Sequence, residues 1–212
     1  MAIERGTVPR GRHAPPLEVR REVQRQRLFE AAATVFARIG YADASAESIS
    51  REAGMSKATF YEHFANKEVC ILALFDEGAR AVLGAMAEAT ASAGDDPRER
   101  MRAGIRAFLQ QLASHRNESQ TLLVEIIGAG PRATERRDAI LQTFADALYD
   151  EAGHAARREQ TKGFASHEDA FAVIAAGAEL ASRHVRLGVP ADARELEPVL
   201  ERLLLGALSQ NR

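Results

Sequence analysis

The sequence has no tryptophan, a single cysteine and no apolar stretch long enough to cross a bilayer. Each absence excludes something. The lone Cys70 cannot close an internal disulfide or build a cysteine-based zinc cage, and it fits a reducing cytoplasm. A membrane span needs about 18 or more consecutive apolar residues, so no membrane partner is expected. Residues 1–16 carry Arg5, Arg10 and Arg12 but no apolar centre, so no secretory signal is expected there. The six histidines show no H-E-x-x-H or comparable spacing, and there is no glycine-rich phosphate loop. Catalysis, a metal and a cofactor are therefore not expected. Long runs without β-branched residues, with glycine and proline mostly between periodic segments, argue against strands.

Of the 212 residues, 46% are apolar and 27% charged, a balance that can bury a core. The net charge of −2 hides an asymmetry. Residues 1–67 hold 11 Lys and Arg against 8 Asp and Glu, whereas the remainder holds 17 against 22. A basic end and an acidic end suit a chain that meets phosphate at one end only.

Periodicity predicts about nine helices. Residues 1–19, with Pro15-Pro16, read as an arm. From Glu22, the spacing Leu28, Ala32, Val35/Phe36 and Ile39 gives a first helix that Gly40 closes. Ser45 caps a second helix and Ser56 a third that ends near Phe64. Asn66 caps a fourth, with its stripe at Ile71, Phe75, Val82 and Met86, running to about Thr90. Asp96-Pro97-Arg98-Glu99 opens the fifth. Asn117 is expected to cap a helix through Ile127, and Arg132 to about Arg158 forms the seventh. Ser166 to Gly188 bounds the eighth, and Asp192 to Glu195 opens the ninth.

Residues 45–67, SAESISREAGMSKATFYEHFANK, carry the function. A short helix meets a second through Ala53-Gly54-Met55, a turn that needs a residue free to take positive φ. Ser56 can accept from the amide of Thr59, and Met55 and Phe60 have hydrophobic-staple spacing. Phe60 and Phe64 share one face with Ile49 and Ala53 as partners. Ala58, Thr59, Tyr61 and Glu62 then point outward, with Lys57 in the first turn. A helix start carrying Ser, Lys, Thr and Tyr suits a major groove. Ser45, Ser56 and Lys67 stand at helix starts, where unpaired amides favour phosphate. Arg20, Arg21, Arg25 and Arg27 fit either phosphate contacts or a solvated face, and Arg5, Arg10 and Arg12 either a minor-groove arm or a disordered tail.

This stretch, with Gly40-Tyr41, Ser45, Ile49, Ala53-Gly54-Met55-Ser56, Tyr61, His63-Phe64 and Lys67-Glu68, resembles the DNA-binding signature of TetR-family regulators over residues 24 to 75. Two positions depart from that pattern: Ala58 stands where a glycine is common, and Ser50 where an alanine is. The resemblance implies that Lys57, Ala58, Thr59, Tyr61 and His63 lie at the DNA surface. It also implies that Ser45, Tyr61 and Lys67 contact phosphate. Glu62 is awkward there unless it pairs with a cation or accepts from a cytosine amine.

The eighth helix is apolar nearly all round, and the ninth has an unusually wide apolar stripe, which asks for a covering partner. The resemblance implies that these helices pair across a twofold axis, through Ile174, Ala178 and Val185 of the eighth. Leu196, Val199, Leu200, Leu203 and Leu204 of the ninth would meet them. It also implies a ligand pocket within the helical body. Met86, Phe108, Leu112, Leu123, Ile127, Phe144, Leu148 and Phe171 are candidates for its wall, each equally suited to plain packing. Glu125 and Glu179, set in apolar runs, fit either a ligand contact or a structural ion pair. Tyr149 and His184 share that ambiguity.

The expectation is thus an all-α chain: an arm at 1–19, a three-helix helix-turn-helix DNA-binding domain at 20–66, and a helical ligand-binding and dimerisation domain at 67–212. The expected function is a homodimeric repressor that binds a double-stranded, pseudo-palindromic operator and is released by a small-molecule effector. The alternative is a regulator or architectural factor of the same fold with no effector.

Overall fold

The computed structural model describes residues 16–158 and 162–209. Arg5, Arg10 and Arg12 lie outside them. The elements run α1 (Leu17–Asp43), α2 (Ala46–Glu52), α3 (Lys57–His63), α4 (Lys67–Ser92), α5 (Pro97–Ser114), α6 (Arg116–Leu123), α7 (Pro131–Arg157), α8 (His167–Leu187) and α9 (Glu197–Ser209). Short 3-10 turns at Glu125–Gly128 and Ala193–Leu196 precede α7 and α9. No strand occurs among the described residues.

Most boundaries follow side-chain capping. Ser45, Ser56, Asn66, Asp96 and Ser166 each accept an amide hydrogen bond at the start of a helix, satisfying donors that the helix leaves unpaired. Gly40, at φ 78, breaks the helical path inside α1. The start of α1 is earlier than the periodicity suggests, so residues 17–19 are helical rather than part of an arm. Ile39 is 40% exposed instead of completing the buried stripe.

Two further differences have physical causes. Asn117 does not cap α6; its amide reaches across to Thr34 Oγ1 on α1 at 3.2 Å. The helix ends at Leu123 rather than Ile127, because the chain leaves the α path at Val124. Glu125 then turns back toward α1: its Oε2 accepts from the Tyr41 amide at 2.8 Å, and its Oε1 accepts from Gln120 Nε2 at 2.9 Å.

Three apolar clusters hold the chain together. The first joins α1 to the start of α4 through Leu28, Phe36, Ile49, Phe60 and Ile71, and takes in Ile126, Ala129 and Ala133 from the turn before α7 and its first residues. The N-terminal helices therefore rest on the turn that follows α6. The other two lie among α5, α7, α8 and α9. Burying a side chain such as Phe36 or Phe60 contributes about 1.5–3 kcal/mol, which outweighs the cost of ordering it. At the rim, Arg102 donates to Glu201 and Arg106 to Glu197, clamping α9 onto α5.

Candidate nucleic-acid interface and ligand cavity

The helix-turn-helix is built by local rules. Ser45 and Ser48 cap one another reciprocally, the Ser48 amide donating to Ser45 Oγ at 3.1 Å and the Ser45 amide to Ser48 Oγ at 2.9 Å. Gly54 takes φ 65 in the turn. From α1, Arg27 Nη2 donates to Ala53 O at 3.0 Å, tying that turn down. The Thr59 amide donates to Ser56 Oγ at 3.0 Å, and the two hydroxyls are bonded at 2.9 Å.

Phe60 and Phe64 are buried. Their rings sit 5.5 Å apart, and Phe64 meets Phe29 of α1 at the same distance. With those two faces committed to the core, Lys57, Ala58, Tyr61 and Glu62 are left in solvent. Tyr61 is 50% exposed, with Lys57 Nζ 5.9 Å above its ring. Ser45 and Ser56 are exposed at their helix starts, and Thr59 is half-buried.

Two residues expected at this surface are placed otherwise. Lys67 gives its ammonium to three carbonyls, Tyr41 O at 2.8 Å, Ala42 O at 2.8 Å and Ala44 O at 2.9 Å. Its three protons are thus spent closing the end of α1, and none remains for a phosphate. His63 turns its ring inward, with Nε2 buried and without a hydrogen-bond partner among the described residues. Burial, with Arg21 and Arg25 of α1 nearby, holds its pKa below the ordinary 6.5 against the opposing pull of Glu62 and Glu22.

Behind this unit, α4 to α9 enclose a cavity of about 380 Å³. Of the candidate wall residues, Met86, Phe108, Leu112, Leu123, Phe144 and Leu148 line it. Four expected residues do not. Glu125 is engaged with Tyr41 and Gln120. Ile127, in the 3-10 turn, faces solvent at 54% exposure. Glu179 is exposed and pairs with Arg186 at 3.1 Å. Phe171 packs beside the second apolar cluster, away from the cavity wall. Of the ambiguous pair, Tyr149 stacks on His167 at 3.7 Å, and His184 Nδ1 is bonded to Pro190 O at 2.7 Å.

The cavity also has polar lining that sequence reasoning missed. Arg100 and Glu151 form a two-pronged pair, 2.6 Å and 3.1 Å, at one end. That guanidinium holds the Glu151 carboxyl below its usual range. Arg137 lies on the same α7 face as Ile140, Leu141, Phe144 and Leu148. Its spacing to these residues was the signal that could have found it.

The expected pairing surface is partly redirected. Leu196, Leu200 and Leu204 are buried inside the protomer, and Leu200, Leu204, Ile174 and Ala178 line the cavity. Val185 packs against the third cluster. One position along α9 turns the face by about 100°, so Val199 and Leu203 look away from that core and stay partly exposed.

The architecture is that of an all-helical protein with an N-terminal helix-turn-helix mounted on a hollow helical body. Residues 28–74, which span the helix-turn-helix and the start of α4, match the family model for bacterial regulatory proteins of the tetR family. It is 35% identical over 81 residues to the HTH-type transcriptional regulator BetI of Stenotrophomonas maltophilia, covering 38% of this chain and 41% of BetI. The chain thus spans about two fifths of that relative. Among solved structures it is similar to the fatty acid degradation regulator FadR of Bacillus halodurans, with a TM-score of 0.79 at 20% identity over 89% of this chain and 97% of that one. It is also similar to FadR of Bacillus subtilis in complex with stearoyl-CoA, with a TM-score of 0.76 at 21% identity over 88% and 99% of the two chains. At such identities the likeness is one of fold. No helix among the described residues is long and apolar enough to cross a membrane, and no cluster among them could hold a metal ion.

Proposed function

We propose that this chain is a cytoplasmic transcriptional repressor that binds a pseudo-palindromic operator as a homodimer and lets go when a small ligand with an apolar chain fills its cavity. It acts by binding, with residues 20–66 reading DNA and residues 67–212 pairing and sensing. The observation that carries the reading is the outer face of α3. Phe60 and Phe64 are spent on the core, while Lys57, Ala58 and Tyr61 stand in solvent at the start of the helix. A helix presented in this way fits a major groove.

Pairing is supported by Val199 and Leu203 on α9 and by the exposed small residue Ala172 on α8, which permits close approach. Two α3 helices related by a dyad would enter grooves about 34 Å apart. The ligand is supported by the cavity, whose 380 Å³ falls within the range of about 300–1,000 Å³ usual for ligand sites. The stearoyl-CoA held by the Bacillus subtilis protein supports an occupant with a long apolar chain. A regulator of this fold without an effector would gain nothing from such a void, since unfilled apolar space costs stability.

Release follows from a population shift. A ligand that favours the state with mismatched α3 helices by about 1–3 kcal/mol is sufficient to change occupancy. The lever is α4, whose Lys67 grips the end of α1 while Met86 lines the cavity. Selection of genomic fragments by the purified protein, followed by titration in rising salt, tests the reading. An inverted repeat bound with steep salt dependence is expected. Equal affinity for all duplexes, or none, would reject it.

A further inference from the structure

The walls of the cavity are apolar, and charge enters at only a few points. Arg100 and Glu151 neutralise each other through two hydrogen bonds, so their end of the cavity carries no net charge. Arg137 is different. It lines the cavity half-buried, and among the described residues it has no ion pair, hydrogen bond or ring contact. Its neighbours on α7 are not in the same position. Arg136 is paired with Asp76 at 2.5 Å, and Arg132 lies 3.7 Å from Glu68, both acceptors on α4. Those two carboxylates are thus committed to Arg136 and Arg132.

A guanidinium next to apolar walls and without a counter-charge is a costly arrangement that an anion would relieve. The α7 face running from Arg137 through Ile140, Phe144 and Leu148 to Glu151 gives that anion a defined surrounding. Arg137 and Glu151 are separated by about 21 Å of helix at ~1.5 Å per residue. The cavity is therefore elongated, with a free cation at one end, an internally satisfied pair at the other and apolar side chains between.

Resting on the reading of the chain as ligand-gated, we propose that the effector is an amphiphile with one extended apolar chain and an anionic group, and that Arg137 recognises the anion. Carboxylate and phosphate share that chemistry. Arg137 lies one turn beyond Ala133, which is buried in the cluster shared with α1, α2 and α3. Recruiting its guanidinium to a ligand thus acts on the part of α7 that touches the DNA-reading unit.

Calorimetric titration of the intact protein, without DNA, with dodecanoate, dodecanol and lauroyl-CoA tests this. Dodecanol has the chain without the charge, and the other two distinguish a free carboxylate from a carrier phosphate. The expected result is that at least one anionic probe binds about tenfold or more tighter than dodecanol. Arg137→Gln should abolish that preference by bringing the anionic probes down to about the affinity of dodecanol, and Arg137→Lys should restore part of it. Equal affinity for charged and neutral probes, an undiminished preference in Arg137→Gln, or no binding of any probe would overturn the proposal. Operator affinity of the unliganded protein, measured by fluorescence anisotropy, is read separately. Its absence would reject the repressor reading without touching the anion preference.

Discussion

At the scale of single residues, the outer face of α3 separates side chains that hold the fold from those free to act. Tyr61 is 50% exposed, and its ring meets Phe60 edge-on at 5.6 Å. Removing the ring costs little core, because Phe60 keeps its burial against Phe64. Tyr61→Ala should therefore weaken operator binding by roughly tenfold, in line with about 1–3 kcal/mol for a direct contact. The circular dichroism spectrum and sedimentation should stay unchanged, and loss of helix content instead would place Tyr61 in the core. His63 makes the opposite case. Its imidazole is held below 6.5 by burial, and its enclosed Nε2 has no acceptor among the described residues to stabilise a proton. The unfolded chain therefore binds more protons than the folded one between the folded pKa and 6.5. This group costs nothing above about pH 7.5, and stability falls as pH drops through 6.5 toward the depressed value. Thermal melts from pH 7.5 to 5.5 should show wild type losing more stability than His63→Gln; parallel curves would remove His63 as the cause.

At the scale of elements, the junction between α1 and α2 depends on two distant side chains. Lys67 caps the carbonyls of Tyr41, Ala42 and Ala44, and Glu125 holds the Tyr41 amide. Charge-assisted hydrogen bonds contribute about 1.5–3 kcal/mol each when their geometry is fixed, less where solvent reaches them. Lys67→Met should lower folding stability by about 2 kcal/mol in denaturant titration. The slope of operator affinity against salt should be unchanged, whereas losing a phosphate contact would reduce it by about one. Glu125→Ala tests the link between body and reader. With α6 residues Leu122 and Leu123 on the cavity wall and Glu125 two positions on, cutting the Tyr41 bond should shrink ligand-induced release by roughly fivefold or more. Direct ligand affinity should stay near wild type, and an undiminished release would exclude this route. None of this junction was legible in the sequence. Capping serines, Gly40, Gly54 and the Phe60/Phe64 face could be read because they act on neighbours within one or two turns. Glu125 and Lys67 act across 84 and 26 residues, and their chemistry alone suggested a ligand contact and a phosphate contact. Cavity residues fell between these cases: stripes on α5 and α7 gave Phe108, Leu112, Phe144 and Leu148, while Arg137 sat on the same stripe unnoticed because it is charged.

At the scale of the whole molecule, one helix-turn-helix neutralises few phosphates, which is why the proposed repressor needs two readers held at a fixed spacing. The apolar excess of α9 has two destinations. Leu196, Leu200 and Leu204 are consumed inside the protomer, which leaves Val199 and Leu203 partly exposed as the α9 surface of the proposed dimer. Charge placed at the second pair should therefore break the proposed dimer without emptying the core. Leu203→Arg should convert the sedimenting species from dimer to monomer while keeping its helix content, and operator affinity should fall by at least about 100-fold through loss of the linked second site. Binding to an isolated half-site should survive at its own weak affinity, because α3 and its cap are untouched. Arg202→Ala, one residue away on an exposed position, serves as the control and should leave both readouts alone. A Leu203→Arg protein that remains dimeric would mean that the two copies meet elsewhere, and α8 with Ala172 and Arg183 on its outer face would then be the surface to substitute next.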